Sequence, residues 1–504
     1  MTRPIVLAID QGTTSVRATV LDARLTPLAA RAETVERGFP RPGWVELDAE
    51  EVVRATERVA VAALAASGRS PSEVAGVGLA NQGETVVVWE RATGRPIAPA
   101  IVWQCRRTEE VCARLRRDTS TEAWVREATG LPIDAYFSAT KLAWLLDEVP
   151  GARERAERGE LCGGTLDTFT LFRLSSGRLF VSDPSTSCRT LLAELRTGRF
   201  SDRLCRLFGV PRRMLAEVVG SDRELGPIGI GNAEMPLRAL LCDQPSALLG
   251  TGCLAPGDVK CTYGTGAFLQ VNVGEAHGPQ VHEPHDGLLR SIAWELGGVR
   301  THLLEGSVLS AGDVLTWLRD GLGMIAGPEE IDDVLARTPD SGGVLFVPAL
   351  TGLGAPRWVG DARGTILGLS RASRREHVIR AALEGIAHQV ADVLEAASRA
   401  RDGALAPMWA DGGLSASDAF LRLQADLTGH PLMRATHGEA TTRGVAAIAA
   451  VGAGLAPSVA AIVRTEPSVV ISPSLDATAR GAARDRHRSL MDLIASPAMR
   501  ALCK

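Results

Sequence analysis

Lysine is almost missing from this chain. Among 504 residues it occurs only as Lys141, Lys260 and Lys504, and no Gly-Lys pair exists. A Walker A phosphate loop needs that pair, and the Val-Ala-Ile-Lys strand of protein kinases needs its lysine, so any nucleotide is bound without either device. The other basic residues are arginine, which reads as a genomic bias. Cationic excess is also lacking. The net charge is −4, which gives no electrostatic case for nucleic acid or an anionic membrane as a partner. The nine cysteines contain no Cys-x-x-Cys, so reduced thiols in a cytoplasmic protein are expected. A cleavable signal pattern is absent from the N-terminus, whose apolar run is only Ile5 to Ile9. The one long uncharged stretch, Gly444 to Val463, is mostly Ala and Gly and is interrupted by Pro457. It predicts a close-packed buried helix, a turn at Gly454–Ser458 and a second short helix, with no membrane span. The spacing of His277, His282 and His285 is read as a polar loop rich in Gly, Pro and His, not as a metal site.

What is present is a repeated device. Residues 5–21, IVLAIDQGTTSVRATVL, read as two apolar strands around a Gly-Thr-Thr-Ser turn. Such a turn offers backbone N–H groups and hydroxyls to an anion. A second copy lies at 259–273, VKCTYGTGAFLQVNV, about 250 residues on. Two similar halves sharing one phosphate-bearing ligand follow from this, and the length fits two domains. Strand candidates at 5–9, 16–21, 74–80, 85–90, 98–103, 239–242, 343–348 and 407–411 alternate with helical stretches at 49–66, 138–148 and 377–399. The class is α/β in both halves. The Gly/Pro-rich stretch Gly250–Gly257 marks the boundary, which gives domains 1–250 and 251–504.

Four places carry candidate chemistry. If strands 84–103 pair symmetrically about the Arg91–Pro96 turn, Glu84 lies across from Trp103, an acid and an indole suited to a hydroxylated ligand. Asp243 follows an apolar strand and starts a helix with Pro245 in its first turn, where the helix dipole favours an ionised carboxylate. Taken alone the position reads first as a structural helix cap, with a base as the alternative. The segment 408–420, MWADGGLSASDAF, ends a strand at Asp411, turns through Gly412 and Gly413, and offers Ser415 with Asp418 as a capping box. Gly312 lies inside a helical pattern, where it costs about 1 kcal/mol relative to Ala, so packing or a ligand should explain it.

Together these residues resemble the FGGY carbohydrate kinases, from about Ile5 to about Leu455. Tyr136-Phe-Ser-Ala-Thr-Lys141-Leu-Ala-Trp144-Leu-Leu-Asp-Glu148 is similar to that family's first signature, and Gly364-Thr-Ile-Leu-Gly368 with His377 and Ala381-Ala-Leu-Glu384 to its second. Asn81-Gln-Gly-Glu-Thr85, Ile101 to Thr108 and Pro348 to Pro356 resemble the glycerol kinase branch. The two tyrosines of the chain, Tyr136 and Tyr263, both fall inside matched motifs. The resemblance implies two actin-like (ribonuclease H-like) ATPase domains with a deep cleft between them, and phosphorylation of a small polyol by ATP with Mg2+. It implies phosphate contacts from Gly12, Thr13, Thr14, Ser15 and Arg17 and from Gly264, Thr265 and Gly266. Gly312, Thr316, Gly412, Gly413 and Ser417 would line the nucleoside site. Asp10, with Asp243, would hold the metal. Gln82, Gly83, Glu84, Trp103, Tyr136, Asp243, Gln244 and Phe268 would form the polyol site, with Asp243 the catalytic base. A homodimer is the frequent assembly in such a family.

The chain also departs from that pattern. Gly83 stands where the glycerol kinase branch carries Arg. The acceptor is then longer than glycerol, or glycerol binds weakly, or an Arg from elsewhere fills the space. Cys105 replaces a usual Asp, Ser417 an adenine-contacting Asn and Thr316 a Gln, which touches nucleobase preference. Gly226–Pro236 lacks the Gly-rich stretch that binds a sugar-bisphosphate inhibitor in some bacterial relatives, so no such inhibition is expected. Three readings follow: an ATP-dependent kinase making glycerol 3-phosphate, a kinase of a four- or five-carbon alditol or ketose, and an actin-like nucleotide-gated binding protein. Glu84 with Trp103, Asp243 and both signatures count against the last.

Overall fold

The computed structural model describes residues 4–275, 287–401, 403–435, 439–463 and 469–502. His277, His282 and His285 lie outside the described residues. In the first half, β1 (Ile5–Gln11) and β2 (Ser15–Asp22) form an antiparallel hairpin that sets Asp10 opposite Arg17. β3 (Pro27–Thr34) adds to β2. Helix α1 (Ala49–Ser67) follows, started by the Asp48 carboxylate accepting from the Glu50 and Glu51 N–H groups and closed by Gly68 in the left-handed region. β4 (Val74–Asn81) then pairs parallel with β1. A smaller sheet contains β5 (Val86–Glu90) and β6 (Ala100–Ile101), and is followed by α2 (Ser138–Glu148). β7 (Gly226–Ile230) and β8 (Ala233–Cys242) complete the main sheet, in the order β7-β8-β4-β1-β2-β3, and α3 (Asp243–Gly250) leaves the end of β8.

The second half repeats this plan. β9 (Val259–Tyr263) and β10 (Ala267–Glu275) make the hairpin, and β11 (Leu289–Leu296) and β12 (Val299–Val308) extend it on the β10 side. After α4 (Gly312–Thr316) and the long α5 (Arg375–Arg399), β13 (Met408–Gly412) pairs parallel with β9, as β4 does with β1. Helix α6 (Asp418–Thr428), β14 (Leu432–Arg434), α7 (Ala440–Gly452), β15 (Val470–Ile471) and α8 (Ala477–Ala495) follow. The sheet order is β11-β12-β10-β9-β13-β14-β15.

β1 is an unbroken apolar run because both of its faces are covered. Ile5, Leu7 and Ile9 join a core with Val52, Ala55 and Val59 of α1, whereas Val6 and Ala8 face a second core built with Leu248 of α3 and Val445 to Ala450 of α7. Each buried Val, Leu or Ile side chain among these contributes about 1.5–3 kcal/mol by leaving water. Thus α7, from the second half of the sequence, covers the first sheet. This explains the uncharged stretch: Ala446, Ala447, Ala449 and Ala450 of α7 are buried, the helix ends at Gly452, and Ser458 caps a short helix at Val459–Ile462. No helix among the described residues is long and apolar enough to cross a membrane.

The α7 seam is a contact between backbones. A Cβ at Gly444 would lie 1.9 Å from the Ser246 carbonyl oxygen, one at Gly250 would lie 2.0 Å from that of Ala440, and one at Gly78 would lie 2.7 Å from that of Val445. The Ser246 hydroxyl also donates to the Thr441 carbonyl at 2.7 Å.

Two local expectations are corrected. Ser417, not Ser415, caps α6, accepting from the Phe420 N–H at 3.0 Å, while Ser415 donates to the Gly412 carbonyl. A tight turn over Gly413–Ala416 absorbs the residues a capping box would have used. Gly312 is the first residue of α4 and not an interior one.

Candidate active site

The first hairpin turn, between Gln11 and Ser15, is tightened by the Gly12 N–H donating to the Ser15 carbonyl at 3.0 Å. Gln82, just beyond β4, braces it. Its N–H donates to the Gln11 carbonyl at 2.8 Å and its Nε2 to the Gly12 carbonyl at 3.1 Å, while its Oε1 accepts from the Thr85 hydroxyl at 2.9 Å. Both ends of the Gln82 amide are therefore engaged within the protein. Thr14 is exposed at the tip, and Thr13 and Ser15 are half-buried. Arg17 forms an ion pair with Glu439, just before α7.

The second turn, Gly264–Gly266, is held by the start of α4. The N–H groups of Ala311 and Asp313 donate to the Thr265 carbonyl at 2.9 and 3.1 Å, and that of Gly312 donates to the Gly264 carbonyl at 3.0 Å. Any side chain at Gly312 would put its Cβ 2.4 Å from the Gly264 oxygen, which accounts for the glycine. Gly412, at φ +84°, and Gly413 turn beside this loop, and a Cβ at Gly412 would meet the Tyr263 oxygen at 2.4 Å. Thr316 is exposed and donates to the Gly312 carbonyl at 3.3 Å. The Ser417 hydroxyl is engaged by Asp332 as well as by the α6 cap.

Next to the first turn stands the aromatic wall. The β5–β6 register pairs Val86 with Ile101, the same register that would set Glu84 opposite Trp103, and the Trp103 backbone N–H donates to the Thr85 hydroxyl at 3.2 Å. Nearer the tip the register shifts by two, with Trp89 bridged to Pro96. The Trp103 indole N–H donates to the Thr13 hydroxyl at 2.8 Å, and its ring meets Tyr136 edge-on with centroids 5.4 Å apart. One side chain therefore touches both Tyr136 and the first hairpin turn. Trp103→Phe keeps the wall and removes this bond. A neutral hydrogen bond is worth about 1 kcal/mol, so the variant should raise the KM for nucleotide about fivefold in steady-state assays.

Lys141, on α2, is buried and donates to the Tyr136 carbonyl at 2.7 Å and the Glu84 carbonyl at 3.4 Å, fixing both backbones. Burial lowers its pKa to about 8. Burial, followed by the Glu84 charge, raises the Tyr136 pKa well above its ordinary value, so the phenol stays protonated.

Asp243 opens α3, and Cys242 is the cap residue. Its Oδ1 accepts from the Gln244 N–H at 2.7 Å and from the Cys242 thiol at 3.6 Å. Burial pushes its pKa up to about 6, the Gln244 N–H opposes this, and Glu84 and Glu305 add to it. At neutral pH it is mostly ionised. The Gln244 Oε1 accepts from the buried ammonium of Lys260 at 3.5 Å, across the two halves. Phe268 is half-buried on β10 opposite Ser307.

Asp10 has the character of a cation ligand. Its Oδ1 is buried without a hydrogen-bond partner among the described residues. Burial, then the charges of Asp243 and Glu439, push its pKa up to about 8, with Arg17 opposing them. A divalent ion would supply the missing partner and reverse that shift.

Sequence reasoning missed Arg189, Glu305, Gln270 and Lys260. Arg189 is 4% exposed and binds Glu84, Tyr136, Ser291 and Glu305. No local motif marks it, because its partners lie 53 to 116 residues away in sequence.

Comparison with known proteins accords with this geometry. The model of the FGGY family of carbohydrate kinases matches residues 5–250 with its N-terminal domain and residues 259–453 with its C-terminal domain. A glycerol kinase of Citrifermentans bemidjiense is 46% identical over 452 residues, which is 89% of this chain and 90% of that protein. A glycerol kinase of Thermus brockianus is 46% identical over 450 residues, again 89% of this chain and 90% of that one. Among solved structures, a Plasmodium falciparum glycerol kinase with ADP superposes with a TM-score of 0.89 at 27% identity, covering 98% of both chains. The duplicated sheets are those of two actin-like halves, and the chain belongs to the FGGY family of carbohydrate kinases.

Proposed function

We propose that this chain transfers the γ-phosphoryl group of ATP to a terminal hydroxyl of glycerol, giving glycerol 3-phosphate and ADP. The observation that carries the reading is Asp243. It is a buried carboxylate at a helix start whose titration is coupled to the charge of Glu84 and which in turn acts on Asp10. The identity to glycerol kinases over nine-tenths of the chain supports glycerol as the acceptor. We take 1–250 as the polyol half and 251–504 as the nucleoside half.

In this reading Asp10, with Asp243 nearby, would hold a magnesium ion, which would offset charge on the phosphates. The N–H groups and hydroxyls of Gly12 to Ser15 and of Gly264 to Gly266 orient the triphosphate, and Gly312, Gly412 and Gly413 leave room for the nucleoside. Trp103 and Phe268 pack on the carbon face of the polyol, while Glu84, Tyr136 and Gln244 meet its hydroxyls. Asp243 aligns the attacking hydroxyl and takes its proton as the new O–P bond forms and ADP leaves. Closing the halves excludes water as a competing acceptor.

Gly83 does not enlarge the acceptor site in this reading. A Cβ there would already lie 3.2 Å from the Cys242 sulfur and 3.8 Å from Cγ of Arg189. Coupled ADP detection with glycerol, erythritol, threitol, tetruloses and pentuloses tests this. Glycerol kcat/KM more than about a hundredfold below another acceptor, roughly 2.7 kcal/mol, would replace glycerol with that acceptor.

The pH dependence has a fixed sign. Asp243 must be ionised to accept a proton, so kcat/KM should fall about tenfold per unit below an acid midpoint at about 6. Added magnesium should move that midpoint lower, because a cation near Asp243 favours its charged form.

A further inference from the structure

Arg189 sits in the tight turn Cys188–Thr190, after a short helix that the buried Asp183 caps. Its guanidinium spends four of its five N–H donors on four side chains. Nε donates to Glu84 Oε1 at 2.6 Å and Nη1 to the Ser291 hydroxyl at 3.0 Å. Nη2 donates to the Tyr136 hydroxyl at 3.3 Å and to Glu305 Oε1 at 3.1 Å. Glu305 Oε2 in turn accepts from Gln270 Nε2 at 3.2 Å. Glu84 and Tyr136 belong to the first half, whereas Ser291, Glu305 and Gln270 stand on β10, β11 and β12 of the second sheet. The Tyr136 and Phe137 rings lie 5.5 and 5.6 Å from the guanidinium carbon.

These contacts assign roles to the partners. A tyrosine hydroxyl that accepts from Arg189 directs its own O–H elsewhere. A carboxylate whose Oε1 is taken by Arg189 presents Oε2 as an acceptor. One guanidinium thus orders a donor and an acceptor side by side, the pattern that two adjacent alcohols on neighbouring carbons satisfy. It also ties that pair to the opposite half, so the pattern is complete only when the halves are together.

We propose that Arg189 is a positioning residue that makes the acceptor site specific for a vicinal diol, by orienting the Tyr136 O–H and the Glu84 carboxylate and linking them to Glu305. The proposal rests on the polyol kinase reading above and deepens it. The experiment measures KM for the acceptor and the dissociation constant for ATP in Arg189→Lys, Tyr136→Phe and the double variant. Lysine keeps the charge between two buried carboxylates but cannot reach four partners. Phenylalanine keeps the ring packing and removes only the O–H.

Acceptor KM should rise at least thirtyfold in Arg189→Lys and at least tenfold in Tyr136→Phe, with ATP affinity within threefold of the unmodified enzyme. The double variant should be no worse than three times Arg189→Lys, since both changes remove the same directed donor. Acceptor KM and ATP affinity shifting together would reduce Arg189 to a structural tie and overturn the proposal. So would a Tyr136→Phe change under twofold, which can be read even if Arg189→Lys does not fold. The acceptor panel on the unmodified enzyme separates the two levels. If a longer vicinal polyol outcompetes glycerol, the glycerol reading falls while the Arg189 test proceeds with that acceptor. If 1,3-propanediol matches glycerol in kcat/KM, the diol proposal falls while kinase activity stands.

Discussion

Replacing Asp243 with asparagine should lower kcat by about a thousandfold, the range for loss of a positioned general base. Asparagine retains an oxygen to accept from the Gln244 N–H, which holds Asp243 at 2.7 Å, so the start of α3 should be undisturbed. The change removes the proton acceptor and one negative charge. That charge is the second cause of the raised Asp10 pKa, after burial. Its loss removes a repulsion for the triphosphate and also a charge beside the magnesium site, so ATP binding measured without magnesium should be at least as favourable as before. Titration calorimetry with ATP, next to a coupled turnover assay, separates the two effects. A kcat within tenfold of the unmodified enzyme would remove Asp243 from the role of base. A nucleotide-gated binding protein would keep its ATP-linked behaviour in this variant, and a kinase would not.

The second large effect concerns the α7 seam. Gly444→Ala should cost about 3 kcal/mol of stability, at the upper end for overpacking, because the added carbon meets the Ser246 backbone 1.9 Å away and not a movable side chain. Urea unfolding would measure it. Ser246 lies one turn into α3, whose first residue is Asp243, so activity should fall along with stability. The same change at Gly481, on α8 with nothing within 4 Å of the added carbon, should have the opposite sign. There alanine should stabilise by about 0.5–1 kcal/mol, because the unfolded chain loses more freedom than the folded one. Equal gains at both positions would mean that helix propensity, and not the seam, sets the outcome.

The strands and helices were readable where the apolar period was strong. The two hairpins, α1, α2, the strand leading to Asp243 and the helix–turn–helix at 440–462 all follow from runs and breakers of the ordinary kind. Legibility failed where a choice depends on atoms remote in sequence. Ser415 and Ser417 are equally good caps by composition, and the turn at Gly413 decides between them. Gly312 reads as an interior glycine until the Gly264 carbonyl is seen against it. The Arg91–Pro96 turn suggests one register, and the bridge from Trp89 to Pro96 imposes another near the tip. The site was half legible. Asp10, Glu84, Trp103 and Asp243 sit at strand ends beside glycines or apolar runs, which is a local signal. Arg189, Glu305 and Lys260 gain meaning only from partners brought together by the tertiary fold. Gly83 illustrates both cases, since its sequence announces a missing side chain but not which neighbours occupy the volume.

The crossing of α7 onto the first sheet bears on how the chain folds. Val6 and Ala8 are sealed by residues made more than 430 positions later. A fragment ending near residue 250 would expose that face of its sheet, and a fragment starting there would carry an alanine-rich helix with no surface to cover. The halves are therefore alike in plan but interdependent in assembly. Neither should fold in isolation, and scanning calorimetry of the whole chain should trace one cooperative transition in place of two.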